Sequence, residues 1–384
     1  MKKYFENAII GGGIIGTSIL YHLAKSGNTN CILLEKEDML GTGSTGRSVG
    51  GIRCQFSEPA NIKMTIESME ILKHLEEEAQ TELDFKRNGY LLMASEESTM
   101  KDLSGISELL SSLGIRQNLL DSEGLKKRYP YLNTQDLIGG LLTPDDGFLD
   151  PHGILYGFSR IAKKLGAIIK TSADVVNIRK EKDGMFTLCL SSGEAINCRN
   201  VINAAGPWAG KVARLASLEI PVTLFKRNVF ITAPTTIVPK NTPMTIDFDN
   251  PFYFRPESGG LLLSAADKNE TGEVDCTLDL ESLPIMVEKA INRVPKLEET
   301  EIVTGWAGVR TLTPDQNAII GESPELSGFY FAAGFSGHGI MHSASAGKLL
   351  SEIINGKNID WVRADVFNLE RFNKKFALSE KGVI

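Results

Sequence analysis

Three glycines near the start of the chain, Gly11, Gly13 and Gly16, stand in the spacing G-x-G-x-x-G. The short apolar run at 6–10 before them reads as a buried parallel strand. Behind them Ile15, Ile19 and Leu23 recur at helical spacing over 14–26, with Gly27 placed to end the helix. A strand, a glycine turn and a helix in this order make an anion site. The first glycine allows the tight turn, the second lets backbone approach a pyrophosphate, and the third lets helix and strand pack closely. The helix N-terminus adds free amides and a partial positive charge. A second apolar strand at 31–35 ends in Glu35. A carboxylate there, about 20 residues beyond the last glycine, accepts both ribose hydroxyls and repels a 2′-phosphate. A glycine triplet alone is weak evidence, but the ordered set is specific, so the chain is expected to bind a dinucleotide. The motif does not distinguish FAD from NAD.

Other reactive side chains point away from metals. His338 and His342 are four apart and share a helical face, yet no HExxH glutamate and no third ligand accompany them, so no metal site is expected. His22 and His74 read as ordinary helix residues. The five cysteines (Cys31, Cys54, Cys189, Cys198, Cys276) form no CxxC pair, which argues against zinc, iron–sulfur and disulfide frameworks and fits a reducing cytoplasm. Lys plus Arg number 41 against 48 Asp plus Glu, a net charge of −7 without a basic block, so nucleic acid is not an expected partner. After Lys2 and Lys3 the apolar run Ala8–Ile10 is too short for a signal peptide and is broken by Gly11–Gly13. No stretch has the length of a transmembrane helix.

Around these groups the chain of 384 residues alternates in character. A helix is expected at 61–81, short strands and turns over 84–150, and a helix at 153–166. Strands follow near 167–179, 184–191 and 199–204. Residues 221–305 are strand-rich, and a strand (GFYFAA) and a helix at 340–355, stopped at Gly356, close the chain. The expected fold is α/β: a Rossmann-like dinucleotide domain made from 1–83, 151–220 and 305–384, interrupted by an α+β, antiparallel-sheet substrate domain made from 84–150 and 221–304. Ligands favour domain junctions, which places the site between the two.

Four blocks in register carry a family resemblance: IIGGGIIGTSILYHLAKSG with LLEKE, GTGSTGRSVGGIR, VINAAGPWAG, and GWAGVRTLTPDQNAIIG followed by GFYFAAGFSGHGIMHSASAGKLLSEIINGK. With these the chain resembles, over essentially its whole length, the D-amino-acid-oxidase-like flavoenzymes. The similarity is greatest to the branch holding dye-linked L-proline dehydrogenase catalytic (beta) subunits, sarcosine oxidases and glycine oxidase. The resemblance implies FAD, and a set of contacts to it. Ile15, Glu35 and Lys36 would lie at the nucleotide end, where Val175 contacts adenine through its backbone. Gly43, Ser44 and Thr45 run along the pyrophosphate and ring, Arg47 lies near the phosphates or ring edge, and Ser48, Gly50 and Gly51 continue that loop. Ala204, Ala205 and Gly206 form a small-residue strand end, with Trp208 either beside the cofactor or in the core. Gly308 and the turn Gly334, Ser336, Gly337, His338, Gly339 and Ile340 would meet the ring, the turn presenting helix N-terminal amides to its N1–C2 edge.

The implied reaction is oxidation of the C–N bond of a small amino acid by hydride transfer to flavin N5, giving an imine. A secondary amine such as L-proline or sarcosine is favoured. Arg310 resembles the family's carboxylate clamp, Arg53 points toward the active site, Tyr253 lies on a substrate-contacting strand, Arg255 is a weaker candidate, and His338 contacts substrate or flavin. Two family lysines that accompany oxygen use are replaced here, one by a leucine in Gly259–Ser264 and one by Met341. The expectation is therefore a dehydrogenase passing electrons to a dye, quinone or redox protein, with partner subunits in a hetero-oligomer. Its location would be cytoplasmic, peripheral to the membrane through its acceptor. The alternatives are a peroxide-producing oxidase and a non-catalytic flavin electron-relay subunit. The cysteine that anchors flavin in some sarcosine oxidases falls near Gly308 here, so FAD is expected to be non-covalent.

Overall fold

The structure, a computed structural model, describes residues 4–265, 270–373 and 379–381. Lys2 and Lys3, part of the N-terminal signal reading, lie outside them. Two large sheets organise the chain. In the first, Tyr4–Ile10 is central, parallel to Cys31–Leu34 on one side and to Ala195–Asn203 on the other. Ile168–Lys170, Phe329–Ala333 and Ile319–Glu322 extend it outward, and the Val175–Lys180 and Phe186–Leu190 strands join beside Ala195–Asn203. Its strands Cys31–Leu34 and Phe329–Ala333 are unbroken apolar runs buried on both faces, while Ala195–Asn203 alternates buried and exposed residues over its first half. The chain thus returns to this sheet in three separated pieces.

The second sheet has nine strands, from Tyr90–Ala94 to Ile302–Leu312, nearly all antiparallel. Its parallel pair joins Tyr90–Ala94 to Met244–Asp247. An expected boundary at residue 305 falls inside Ile302–Leu312, which pairs along its length with Thr223–Thr232, so Arg310 and Gly308 arrive on the second sheet. A two-strand ribbon, Gly51–Ile52 with Gly147–Phe148, lies apart from both.

The helix Ile14–Lys25 packs between Pro151–Lys164 and Ser343–Ile354, and Pro59–Ala79 covers the latter two. Glu97–Ser112, Ser122–Arg128 and Leu283–Arg293 are helices where strands and turns were expected. The first buries Leu103, Ile106, Ser107 and Leu110, a helical spacing present in the sequence. The closing helix begins at Ser343, not 340; Gly334–Ile340 is a separate turn ahead of it, so its amides are not those of the helix N-terminus. No helix among the described residues is long and apolar enough to cross a membrane.

Candidate functional site: a cofactor cavity with an inner chamber

The N-terminal glycines meet backbone at close quarters. Gly11 takes φ +115°, and a Cβ there would collide with the carbonyl of Ala204. A Cβ on Gly16 would strike the carbonyl of Gly11, so Gly16 brings the helix onto its strand and lies off the cavity wall. Thr45 Oγ1 accepts from the first helical amide, Ile14 N, at 3.0 Å, tying the 41–48 loop to the helix start. Glu35 Oε2 accepts from Gly12 N at 2.6 Å and Oε1 from Glu37 N at 2.9 Å, which fixes the carboxylate at the end of its strand.

These elements wall a cavity of about 590 Å³, within the usual range for ligand sites. Gly11, Gly13, Ile15, Glu35 and Lys36 line one part, with Val175, Ala204, Ala205, Gly206 and Trp208. Lys36 Nζ lies 3.9 Å from the Trp208 ring centroid, so this tryptophan is a wall residue and not core. Gly43, Ser44, Thr45, Arg47 and Ser48 line another part with Gly308, Arg310 and Tyr253, and Gly334, Ser336, Gly337, Gly339 and Ile340 close it. Arg47 folds back on its own loop, donating to the carbonyls of Thr42 and Gly43, while its carbonyl accepts from Trp306 Nε1 at 3.0 Å. Gly50 stays off the wall; its φ is +72° and a Cβ would collide with Leu149 O. Lys211, Arg227, Val274 and Cys276 also reach this cavity, and no local pattern marks them in the sequence.

A smaller chamber of about 70 Å³ adjoins it. Ser48, Val49, Tyr253, Arg310, Ser336, Gly337 and Ile340 belong to both linings. Gly51, Arg53, Tyr90, Leu92, Met244, Ile246, His338 and Met341 line the chamber alone. Arg310 rests against Gly337, whose Cβ would lie 3.1 Å from the guanidinium carbon. Arg53 donates to Gln55 O and lies 4.4 Å from the Phe56 ring centroid. Burial lowers its pKa, opposed by nearby Tyr90, Glu380 and Asp146. Arg255 is off both walls, bonded to Val49 O and ion-paired with Glu257 at 2.7 Å.

His338 reaches the chamber wall with both ring nitrogens engaged: Nε2 lies 2.9 Å from Gln316 O, and Nδ1 lies 3.2 Å from His342 Nδ1. The carbonyl obliges Nε2 to carry the proton, so His342 donates to Nδ1 and neither nitrogen of His338 is left for a substrate. His338 thus lines the chamber with its ring nitrogens turned to Gln316 and His342.

Burial dominates the titration of these groups. It lowers His338 to about 4, with Arg53 adding to the effect, lowers His342 well below the usual range, and lowers His22 to about 3. It raises Asp146 to about 6, against donors from Thr143 and Cys54 N. Between pH 6.5 and those lowered values the unfolded chain binds more protons than the folded one at each histidine. Stability is therefore lost as the pH is lowered through this window. Asp146 acts oppositely below pH 6, because its folded form holds the proton. Burial also raises Asp247, and the three histidines outweigh these two aspartates. Urea-unfolding midpoints are expected to drop between pH 7 and 5, and more shallowly in His22→Gln; a flat or rising profile would sink the assignment.

The cavity fits FAD on its own features: a glycine turn and helix start on its wall, a fixed carboxylate, and small residues along both sides. Non-covalent binding is expected to leave the yellow colour in the supernatant after acid precipitation. The structure sharpens this test, because Cys276 lies on the wall; a yellow pellet that turns colourless in Cys276→Ser would establish a thioether instead.

The family model described as FAD dependent oxidoreductase matches residues 7–353. FAD-dependent oxidoreductase domain-containing protein 1 of Xenopus laevis is 28% identical, across 98% of this chain and 84% of that protein. Mitochondrial sarcosine dehydrogenase of Mus musculus is 31% identical across 91% of this chain, which spans only 39% of that relative's length. Among solved structures, L-proline dehydrogenase from P. horikoshii matches with TM-score 0.87 and 30% identity, covering 97% of this chain and 99% of that one. Glycine oxidase from Geobacillus kaustophilus matches with TM-score 0.84 and 25% identity, covering 96% and 99%.

Proposed function

This chain belongs to the family of FAD dependent oxidoreductases, and we propose that it oxidises the C–N bond of a small amino acid, a secondary amine such as proline or sarcosine being favoured. The observation that carries this reading is the inner chamber, which opens beside Arg310 onto the cofactor cavity. An open chamber at that arginine speaks for a substrate and against a pure electron-relay subunit.

A guanidinium matches a carboxylate with two parallel hydrogen bonds. An amino acid held at Arg310 has its α-carbon at the wall common to both spaces, the position needed for a near-attack arrangement. The described chamber lining contains two arginines and no carboxylate. That charge opposes an ammonium group and favours the neutral amine, whose lone pair is needed to form the imine. No general base is then required. Bound FAD supplies the acceptor for the hydride leaving carbon, and water hydrolyses the imine. The names of the relatives, sarcosine dehydrogenase and proline dehydrogenase, support this substrate class.

A dehydrogenase is favoured over an oxidase. Met341 stands on the chamber wall and Leu261, Leu262 and Leu263 are buried apolar residues, so neither position offers the lysine that accompanies oxygen use in the resembling oxidases. The test is an anaerobic screen of amino acids for loss of the yellow absorbance, followed by turnover with a dye or oxygen. Bleaching by a secondary amino acid with fast dye-linked and slow oxygen-linked turnover is expected. No bleaching by any amino acid would overturn the reading, and rapid peroxide formation would make the protein an oxidase.

A further inference from the structure

Tyr90 belongs to none of the motifs above, yet it stands on the part of the chamber wall that the cofactor cavity does not share. Its strand, Tyr90–Ala94, is held on both sides, with Tyr90 opposite Thr143 and Met244. Gln55 Nε2 donates to its carbonyl at 3.1 Å. The residue is 4% exposed and lines the chamber but not the larger cavity. Among the described residues its hydroxyl makes no hydrogen bond. Gly51 leaves room for it, since a Cβ there would collide with the phenol oxygen. Burial pushes the phenol up to about 12, so the group is a neutral donor throughout the physiological range.

The neighbours define what this end can read. Leu92, Met244, Ile246 and Met341 are apolar. Arg53 is turned to Gln55 O and stacked on Phe56. The phenol O–H is therefore a neutral donor on the part of the chamber wall that the cofactor cavity does not share, beside the Arg53 guanidinium. A buried donor that a ligand fails to satisfy carries a desolvation penalty, so such a donor discriminates between an oxygen and a methyl group in the same place.

We propose that Tyr90 is a substrate-contacting residue, donating to an oxygen at the end of the substrate that points away from Arg310. Within the class of small amino acids, this favours those with an oxygen acceptor on the side chain or nitrogen substituent over proline and sarcosine, which carry none. This rests on the reading that the carboxylate sits at Arg310.

The test uses two unreactive acids of one shape, 3-hydroxypropanoate and butanoate, titrated into the FAD-loaded protein and read as a shift of the flavin spectrum. The wild type is expected to bind the hydroxy acid about tenfold more tightly. Tyr90→Phe should abolish that preference while retaining FAD and affinity for butanoate. Gly51→Ala, which displaces the phenol without removing it, should do the same and serves if Tyr90→Phe does not fold. Equal binding of the two acids by the wild type, or an unchanged preference in the variants, overturns the role of Tyr90 alone. Absence of binding by either acid overturns the Arg310 reading with it.

Discussion

Arg310→Met is expected to keep FAD at full stoichiometry and to lose roughly 30- to 5,000-fold in kcat/KM for the amino acid, from the 2–5 kcal/mol that truncation of a buried charge pair costs. The separation of effects follows from position. Arg310 stands on the Ile302–Leu312 strand, whose pairing with Thr223–Thr232 does not depend on its side chain. Its guanidinium lies against Gly337, on the wall shared by the cavity and the chamber. Methionine preserves the bulk and removes the charge and the paired donors. Arg53→Met is the informative contrast. That guanidinium is bonded to Gln55 O and stacked on Phe56, so its loss should lower stability at least as much as catalysis. Near-normal steady-state kinetics in Arg310→Met, with collapse in Arg53→Met, would move the clamp to Arg53.

Gly11→Ala is expected to yield a folded protein with FAD affinity reduced by roughly 100-fold. Two penalties coincide at this residue. A φ of +115° is strained for any L side chain, costing on the order of 1–3 kcal/mol. The added methyl also collides with the carbonyl of Ala204, at the small-residue strand end that walls the same cavity. Relief requires the turn and that strand end to separate, which displaces the backbone that would meet the pyrophosphate. Gly27→Ala provides the control, because its φ is +90° but nothing lies within 4 Å of the new Cβ. It should lose stability without losing FAD. The assignment fails if dialysed Gly11→Ala retains FAD as the wild type does, or if both variants release it equally.

The nucleotide half of the site was legible because its signal is local. Strand Tyr4–Ile10, the glycine turn, helix Ile14–Lys25 and Glu35 lie within the first 35 residues, and period-2 and period-3.6 patterns report directly on such a unit. Helix Glu97–Ser112 was legible by the same rule through its buried spacing, although the surrounding turn residues favoured a strand reading. The first-sheet pieces Ala195–Asn203 and Phe329–Ala333 were readable as apolar strands, but only parallel pairing around Tyr4–Ile10 sets Ala204 against Gly11.

The substrate half was decided by tertiary structure. Tyr90, Met244, Arg53, Arg310 and His338 reach one chamber from five separate segments. Nothing in the neighbourhood of Tyr90 along the chain marks it; its place follows from pairing with Met244 and Thr143 and from the missing side chain at Gly51. Cys276 likewise reaches the cofactor cavity only through the fold. The orientation of the His338 ring, which spacing does not contain, was also set by the fold: Gln316 O and His342 take both of its nitrogens. Composition and periodicity determine which residues are buried and in what element. Which buried side chains face each other across a cavity depends on long-range strand register, and a one-residue slip there would turn each side chain of the strand to the opposite face.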